Sequence, residues 1–171
     1  MKILVFSDSH NRNQYMKKAI DLHRESGIDC IFHLGDGHSD LEELKLDIPI
    51  MFVDGNCDEY SYSFLEKKNV IREKSINLGG FNFFLTHGHG YNVKWSLDYA
   101  VSVAKRNNAD VLLFGHTHNR YNKYLSPEDG EGKGLYVFNP GSISRPRDYS
   151  YSYGFIEIQG SNILLSHGTV L

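Results

Sequence analysis

Cysteine is scarce in this chain. Two residues, Cys30 and Cys57, in 171 give no disulfide framework. There is no apolar run near membrane-spanning length, no low-complexity tract and no internal repeat. Residues 1–6 are too short for a signal-peptide core and run straight into polar residues, so no leader is expected. Charge of one sign is lacking too. Eighteen basic residues against 21 acidic ones leave a formal net charge of −3, and no global field draws the protein to nucleic acid or an anionic membrane. No basic stripe interleaved with aromatics marks a nucleic-acid track. Cytoplasm is the expected location, and any affinity for anions must be local.

What is present suits one unit, residues 1–171, with a real core. The first half alternates strand and helix signals. Residues 2–6, 29–34 and 49–53 read as buried strands, with Cys30 as a core thiol. Residues 12–26 read as an amphipathic helix stopped by Gly27, and 39–46 as a short helix. That alternation implies parallel βαβ units. Further on, 69–78 and 81–86 flank Gly79-Gly80 as a hairpin. Residues 94–107 form a helix and 109–114 another buried strand. The last third is β-rich: 120–125, 135–138, 153–158 and 162–167, with a polar, Gly-rich turn at 126–134. The expected class is an α/β sandwich, two mixed sheets face to face with helices outside.

Metal-binding side chains recur just beyond these apolar runs. Asp8 and His10 follow the first strand, Asp36 the second and Asn56 the third. His87 follows 81–86, and His116 and His118 follow 109–114. Ligands gather at the carboxyl ends of strands in such sheets. The seven donors are two carboxylates, one amide and four imidazoles. One transition metal takes about four to six ligands, so the set suits two ions with one shared carboxylate. Asp36 is the natural bridge. Asp8, His10 and His118 complete one site; Asn56, His87 and His116 complete the other. No thiolate is required, which leaves Mn²⁺, Fe²⁺, Co²⁺, Ni²⁺ and Zn²⁺ open. Two divalent ions less two carboxylates leave a cationic cluster suited to a phosphoryl group. Such a pair lowers the pKa of a held water and clamps an in-line displacement at phosphorus. Asp36, Asn56 and His116 then carry the catalysis, with a metal-held water or hydroxide as nucleophile.

In chain order, Asp8-x-His10, Gly35-Asp36, Gly55-Asn56-Cys57-Asp58, His87-Gly88-His89 and Gly115-His116-Thr117-His118 resemble the calcineurin-like metallophosphoesterases. The small bacterial and archaeal phosphodiesterases are the most similar branch. Gly90-Tyr91-Asn92-Val93-Lys94, and Asn139-Pro140-Gly141-Ser142 followed by Arg145, fit that branch. The resemblance covers nearly the whole chain. It implies a four-layer αββα sandwich, a dinuclear centre, two divalent ions with Mn²⁺ first, and hydrolysis of a small-molecule phosphodiester. Phosphomonoester hydrolysis is the alternative chemistry. A non-catalytic protein-binding scaffold is the alternative class, since a retromer coat subunit shares this fold. A homo-oligomer, dimer or tetramer, is compatible. The chain departs from many members at Cys57, where they carry a His that contacts phosphate and can protonate the leaving group. A thiol is a weak donor for that role.

Cys57, His89 and Arg145 are the candidate substrate-binding residues, with His89 alternatively orienting a ligand. Arg147 is a second phosphate-contacting candidate; both arginines also fit solvated loops. His38 suits a helix-start surface position, His33 the core, and His23 and His167 the surface. Asp58 braces the Asn56 loop or is a turn residue. Asn139–Ser142 reads as a turn whose backbone could close the floor of the site. Trp95 reads as core or interface; Tyr149, Tyr151 and Tyr153 alternate like one face of a strand, which suits packed core or a subunit interface ahead of a substrate platform.

Overall fold

The computed structural model describes residues 1–61, 69–127 and 132–171. Positions 128–131 of the expected 126–134 turn lie outside them. One sheet runs β10-β9-β1-β2-β3 and the other β4-β5-β6-β8-β7. In the first, β1 (Lys2–Phe6), β2 (Cys30–His33) and β3 (Ile50–Phe52) are parallel; on the far side of β1, β9 (Ser152–Gln159) runs antiparallel to it and β10 (Asn162–Thr169) antiparallel to β9. In the second, β5 (Phe81–Thr86), β6 (Val111–Phe114) and β8 (Leu135–Pro140) are parallel. The antiparallel β4 (Glu73–Leu78) and β7 (Arg120–Leu125) flank them.

The continuous apolar run of β1 follows from cover on both faces. Ile3 and Val5 join Phe32, Leu34, Phe83, Leu85, Leu113 and Phe138 in the core between the sheets. Leu4 and Phe6 face the other way, onto Met16, Ala19 and Ile20 of α1 (Asn13–His23) and Leu41 of α2 (His38–Leu44). Phe84, Leu112 and Phe114 likewise pack against Ala100 and Ala104 of α4 (Asp98–Arg106). Helices, sheet, sheet and helix give the expected αββα sandwich.

The departures from expectation have local causes. The strand expected from residue 69 begins at Glu73, because Ile71 is claimed by the loop after β3. Its N–H donates to Asp54 Oδ2 at 2.7 Å and its carbonyl accepts Asp54 N–H at 2.7 Å. The helix expected from residue 94 begins at Asp98, and Trp95 in the preceding turn is 93% exposed, so it is not core. The Asn56 loop opens a short helix that the sequence pattern does not predict, α3 (Asn56–Ser61). Tyr149 is exposed with φ +64°, ahead of β9, so the three tyrosines share no strand face. Tyr151 instead stacks on Tyr15 at 4.3 Å, and Tyr153 is buried. His23 and His167 are half-buried rather than surface residues. His23 stacks on Phe155 and meets Tyr153 Oη at 2.8 Å; His167 stacks on Phe138 and donates to Asn139 O at 2.7 Å. Cys30 and His33 are buried, as expected.

Candidate metal centre

Parallel strands point the same way, so β1, β2 and β3 release their chains at one edge of the sandwich and β5 and β6 at the same edge. Asp8 and His10 leave β1, Asp36 leaves β2, and Asn56 opens α3 after β3. His87 leaves β5, and His116 and His118 leave β6. The backbone turns hard at these points. Asp8, His10, Asp36, His116 and His118 all have positive φ, between 45° and 66°. For residues with a Cβ this conformation costs on the order of 1 kcal/mol each, and such strain concentrates at functional sites.

The turns interlock closely. A Cβ on Gly55 would lie 2.1 Å from Asp36 Oδ1, and one on Gly115 would lie 2.0 Å from Ser7 Oγ. Only glycine permits either approach.

The donor atoms converge. Those of Asp8, His10 and His118 lie within 4.8 Å of one another, as do those of Asp8, Asp36 and His87. Asp36 Oδ2 stands 3.8 Å from His10 Nε2 and 3.5 Å from His87 Nε2. Asp8 Oδ1 stands 3.1 Å from His118 Nε2 and 3.8 Å from His10 Nε2. His116 Nδ1 is 3.1 Å from His87 Nε2. Asn56 lies beside this group, where the next residue's N–H (Cys57) donates to Asp36 Oδ1 at 2.8 Å.

Two observations test the fit to metal. His87 Nδ1 is 2.6 Å from Leu34 O and His118 Nδ1 is 2.7 Å from Arg145 O. A carbonyl only accepts, so each Nδ1 carries the proton and each Nε2 presents a lone pair to the cluster. Backbone carbonyls commonly fix metal-binding histidines this way. Second, Asp8 Oδ1 and Asn56 Oδ1 are buried without a hydrogen-bond partner. His118 Nε2, 3.1 Å from Asp8 Oδ1, is the lone-pair nitrogen of the neutral ring and donates nothing to it. Buried oxygens left this way want a cation. The residues fit divalent metal.

The sequence profile of the calcineurin-like phosphoesterase superfamily domain matches residues 1–168. The chain belongs to this superfamily. It is 31% identical over 147 residues to a Bacillus subtilis protein named probable metallophosphoesterase YsnB, covering 86% of this chain and 78% of that one. It is 30% identical over 132 residues to phosphodiesterase MJ0936 of Methanocaldococcus jannaschii, covering 70% and 75%. The structure of a Vps29 double mutant from Entamoeba histolytica superposes with a TM-score of 0.76 at 21% identity, covering 100% of this chain and 93% of that chain. At that identity the likeness speaks for the fold alone. Membership makes the chain a metallophosphoesterase, in a family that uses divalent metals.

Electrostatics in this phosphoesterase match the fit. Burial opposes charge on Asp8, but the adjacent His118 and His87 imidazoles and the Ser7 hydroxyl, which donates at 2.6 Å, hold its pKa well below the usual carboxylate range. His116 is pushed down to about 4, by burial first and then by His87 and Lys94, so its ring is neutral at pH 7. Burial lowers His10 as well. His118 alone is raised: burial works against it and Asp8 prevails.

The candidate substrate residues divide. Arg145 and Cys57 line one cleft of about 280 Å³ with His10 and Asp36. His89 lines a second cleft, of about 340 Å³, with Asn56, Glu59 and Arg72, and its ring centroid is 5.4 Å from that of His87 and 6.1 Å from that of His116. Its Nε2 is 3.2 Å from Glu59 Oε1, and Glu59 is held by both ends of the Arg72 guanidinium. Of the expected 139–142 turn, Asn139 and Pro140 end β8, and side chains rather than backbone reach Asp8 in the first turn of the site. Ser142 and Ser144 hydroxyls both donate to Asp8 O, at 2.8 and 3.1 Å. Sequence reasoning missed Ser9 and Asp40, which are buried beneath the first turn. Asp40 Oδ2 accepts from Ser9 Oγ at 2.5 Å and from Asn11 N–H at 2.9 Å. Asp40, acidic at the start of the expected 39–46 helix and followed by Leu41, fits a helix cap from sequence, and that reading hides its place beneath the site; the helix has no side-chain cap hydrogen bond.

Proposed function

We propose that this metallophosphoesterase is a phosphodiesterase working with two divalent ions. The observation that carries the reading is the convergence of Asp8, His10, Asp36, His87 and His118, with His116 against His87 and with the Nε2 lone pairs of His87 and His118 fixed by backbone carbonyls. Asp8, His10 and His118 would hold one ion, and Asn56, His87 and His116 the other. Asp36 would serve both, its Oδ2 lying 3.8 Å from His10 Nε2 and 3.5 Å from His87 Nε2, while Asp8 Oδ1 stands nearer His118, at 3.1 Å, than His87, at 3.9 Å. Mn²⁺ is the first choice of ion. Bound ions would supply Lewis acidity at phosphorus and a water of lowered pKa.

The chain's own residues then have distinct tasks. Asp36 and Asn56 fix the spacing of the two halves of the centre. His116, neutral at pH 7, offers a lone pair rather than a proton. Arg145 lines the same cleft as Asp36, where its guanidinium can meet a phosphate oxygen. Cys57 borders that cleft as a thiol, with little power to protonate a leaving group.

The substrate is a small phosphodiester. Among the described residues no helix is long and apolar enough to cross a membrane, and cytoplasm is the location we favour. The retained donor set argues against a purely scaffolding role. The test is metal stoichiometry by elemental analysis with turnover of bis(p-nitrophenyl) phosphate and p-nitrophenyl phosphate. Wild type should hold about two ions per chain and prefer the diester. Asp36→Ala and His116→Ala should lose metal and turnover together. Full activity in either variant ends the proposal, and a preference for the monoester moves it to the alternative chemistry.

A further inference from the structure

Thr117 stands between His116 and His118, and beside it opens a cavity of about 520 Å³ separate from the Arg145 cleft. Its volume is in the range of small-molecule sites. Phe114 and Tyr121 form an aromatic wall, with ring centroids 6.0 Å apart. At the rim is Trp95, whose indole is 93% exposed. Lys94 and Arg147 stand at the same rim, both exposed, and no carboxylate among the described residues pairs with either. The third cation, Arg120, is different: Asp148 holds its Nε at 2.7 Å.

An exposed indole beside unpaired cations needs a reason. Trp95 packs on no core ring, and folding alone gains little from it. The position is more informative. A phosphorus held at the His116–His118 turn has one ester arm that can turn past Thr117 into this cavity. A flat aromatic group would stack there, and the rim would meet negative charge. An aliphatic tail uses the aromatic wall but not the cations, and a bare phosphate uses the cations but not the wall. A nucleotide uses both.

We propose that this cavity is a nucleotide subsite, in which the base of a nucleotide phosphodiester packs against Trp95 and Tyr121 while Lys94 and Arg147 meet its anionic charge. The placement of the scissile phosphate rests on the phosphodiesterase reading above. The subsite defines the substrate class: nucleotide diesters over lipid head-group or simple alkyl diesters.

Trp95 is the only tryptophan in the chain, so its fluorescence reports the cavity directly. Metal-free protein, excited at the red edge of indole absorption, is titrated with AMP, ribose 5-phosphate and inorganic phosphate. AMP should quench saturably, and the other two should not. Lys94→Ala and Tyr121→Ala should each weaken AMP binding by about tenfold; Lys94 is exposed, so that variant carries no folding penalty. No quenching by AMP, equal quenching by ribose 5-phosphate, or an unchanged midpoint in Lys94→Ala would overturn the subsite. Turnover of bis(p-nitrophenyl) phosphate by the metal-loaded protein is measured alongside. Turnover without an AMP response removes the subsite alone, whereas an AMP response without turnover removes the phosphodiesterase reading and supports the subsite.

Discussion

Asp58 Oδ2 accepts the backbone N–H of Asp36 at 2.6 Å. The same carboxylate accepts three more amides: Gly37 and His38 at 3.0 Å and Gly55 at 2.8 Å. One side chain in the first turn of α3 thus shapes the loops after β2 and β3 together. It braces the Asn56 loop, and Asp36 with it.

Asp58→Asn should therefore act at a distance. An amide nitrogen would face N–H groups where an oxygen stood, leaving buried donors unsatisfied. The expected cost is about 2–4 kcal/mol in urea unfolding, with metal affinity down about tenfold or more. Asp58 touches no candidate ligand's side chain, so unchanged metal affinity in this variant would show that the loop brace is irrelevant to the site.

The metal-free protein should lose stability as pH falls from 6.5 toward 4. His33 is fully buried and its pKa is pushed down to about 4, by burial first, against the pull of Asp58, Asp8 and Asp40. Its Nδ1 accepts Gly35 N–H at 3.2 Å, which protonation would abolish. In this window the unfolded chain binds the proton and the folded chain does not, so the slope favours unfolding as pH drops. The full contribution is on the order of 3 kcal/mol. His118, raised by Asp8, has the opposite sign: its contribution is present below 6.5 and fades as pH rises through its raised value. Urea midpoints between pH 7 and 4.5 in EDTA should fall more steeply for wild type than for His33→Asn; equal slopes would refute the assignment.

Cys57 should be a poor nucleophile despite its exposure. Burial of its sulfur and then the Asp36 carboxylate push its pKa up to about 12. The thiolate is the reactive form. Iodoacetamide at pH 8 should label Cys57 in folded, metal-free protein about tenfold or more slowly than in urea, read by mass spectrometry of its peptide. Rapid labelling of the folded protein would mean that the carboxylates do not control this thiol.

The same protonated sulfur sets the choice of leaving group. With no strong acid beside Asp36, aryl diesters should turn over far faster than alkyl diesters. Cys57→His should narrow that gap by about tenfold or more, the range of general acid catalysis. Equal rates on both esters in wild type would place an acid elsewhere, and His89, held by Glu59, would be the first residue to replace.

Both sheets were legible in the sequence because each central strand is a short apolar run ending in polar donors. The run of Lys2–Phe6 demanded cover on two faces, and the layers follow from that. The donors were legible by order along the chain. The turns that aim them were not: Asp8, His10 and Asp36 adopt left-handed backbone without being glycine, and only tertiary contacts hold them there. α3 was invisible because its six residues, with only Cys57 and Tyr60 apolar, carry no helical apolar period. Trp95 misled for the opposite reason, since the helical pattern around it extends past the true start at Asp98.

The candidate ligands come from both sides of the sandwich. Asp8, His10, Asp36 and Asn56 belong to one sheet, and His87, His116 and His118 to the other. Ions held there rivet the two leaves together at an edge otherwise lined with charge and strained turns. Binding to the folded form alone adds to stability by mass action, so metal supply would govern the lifetime of the protein as well as its turnover.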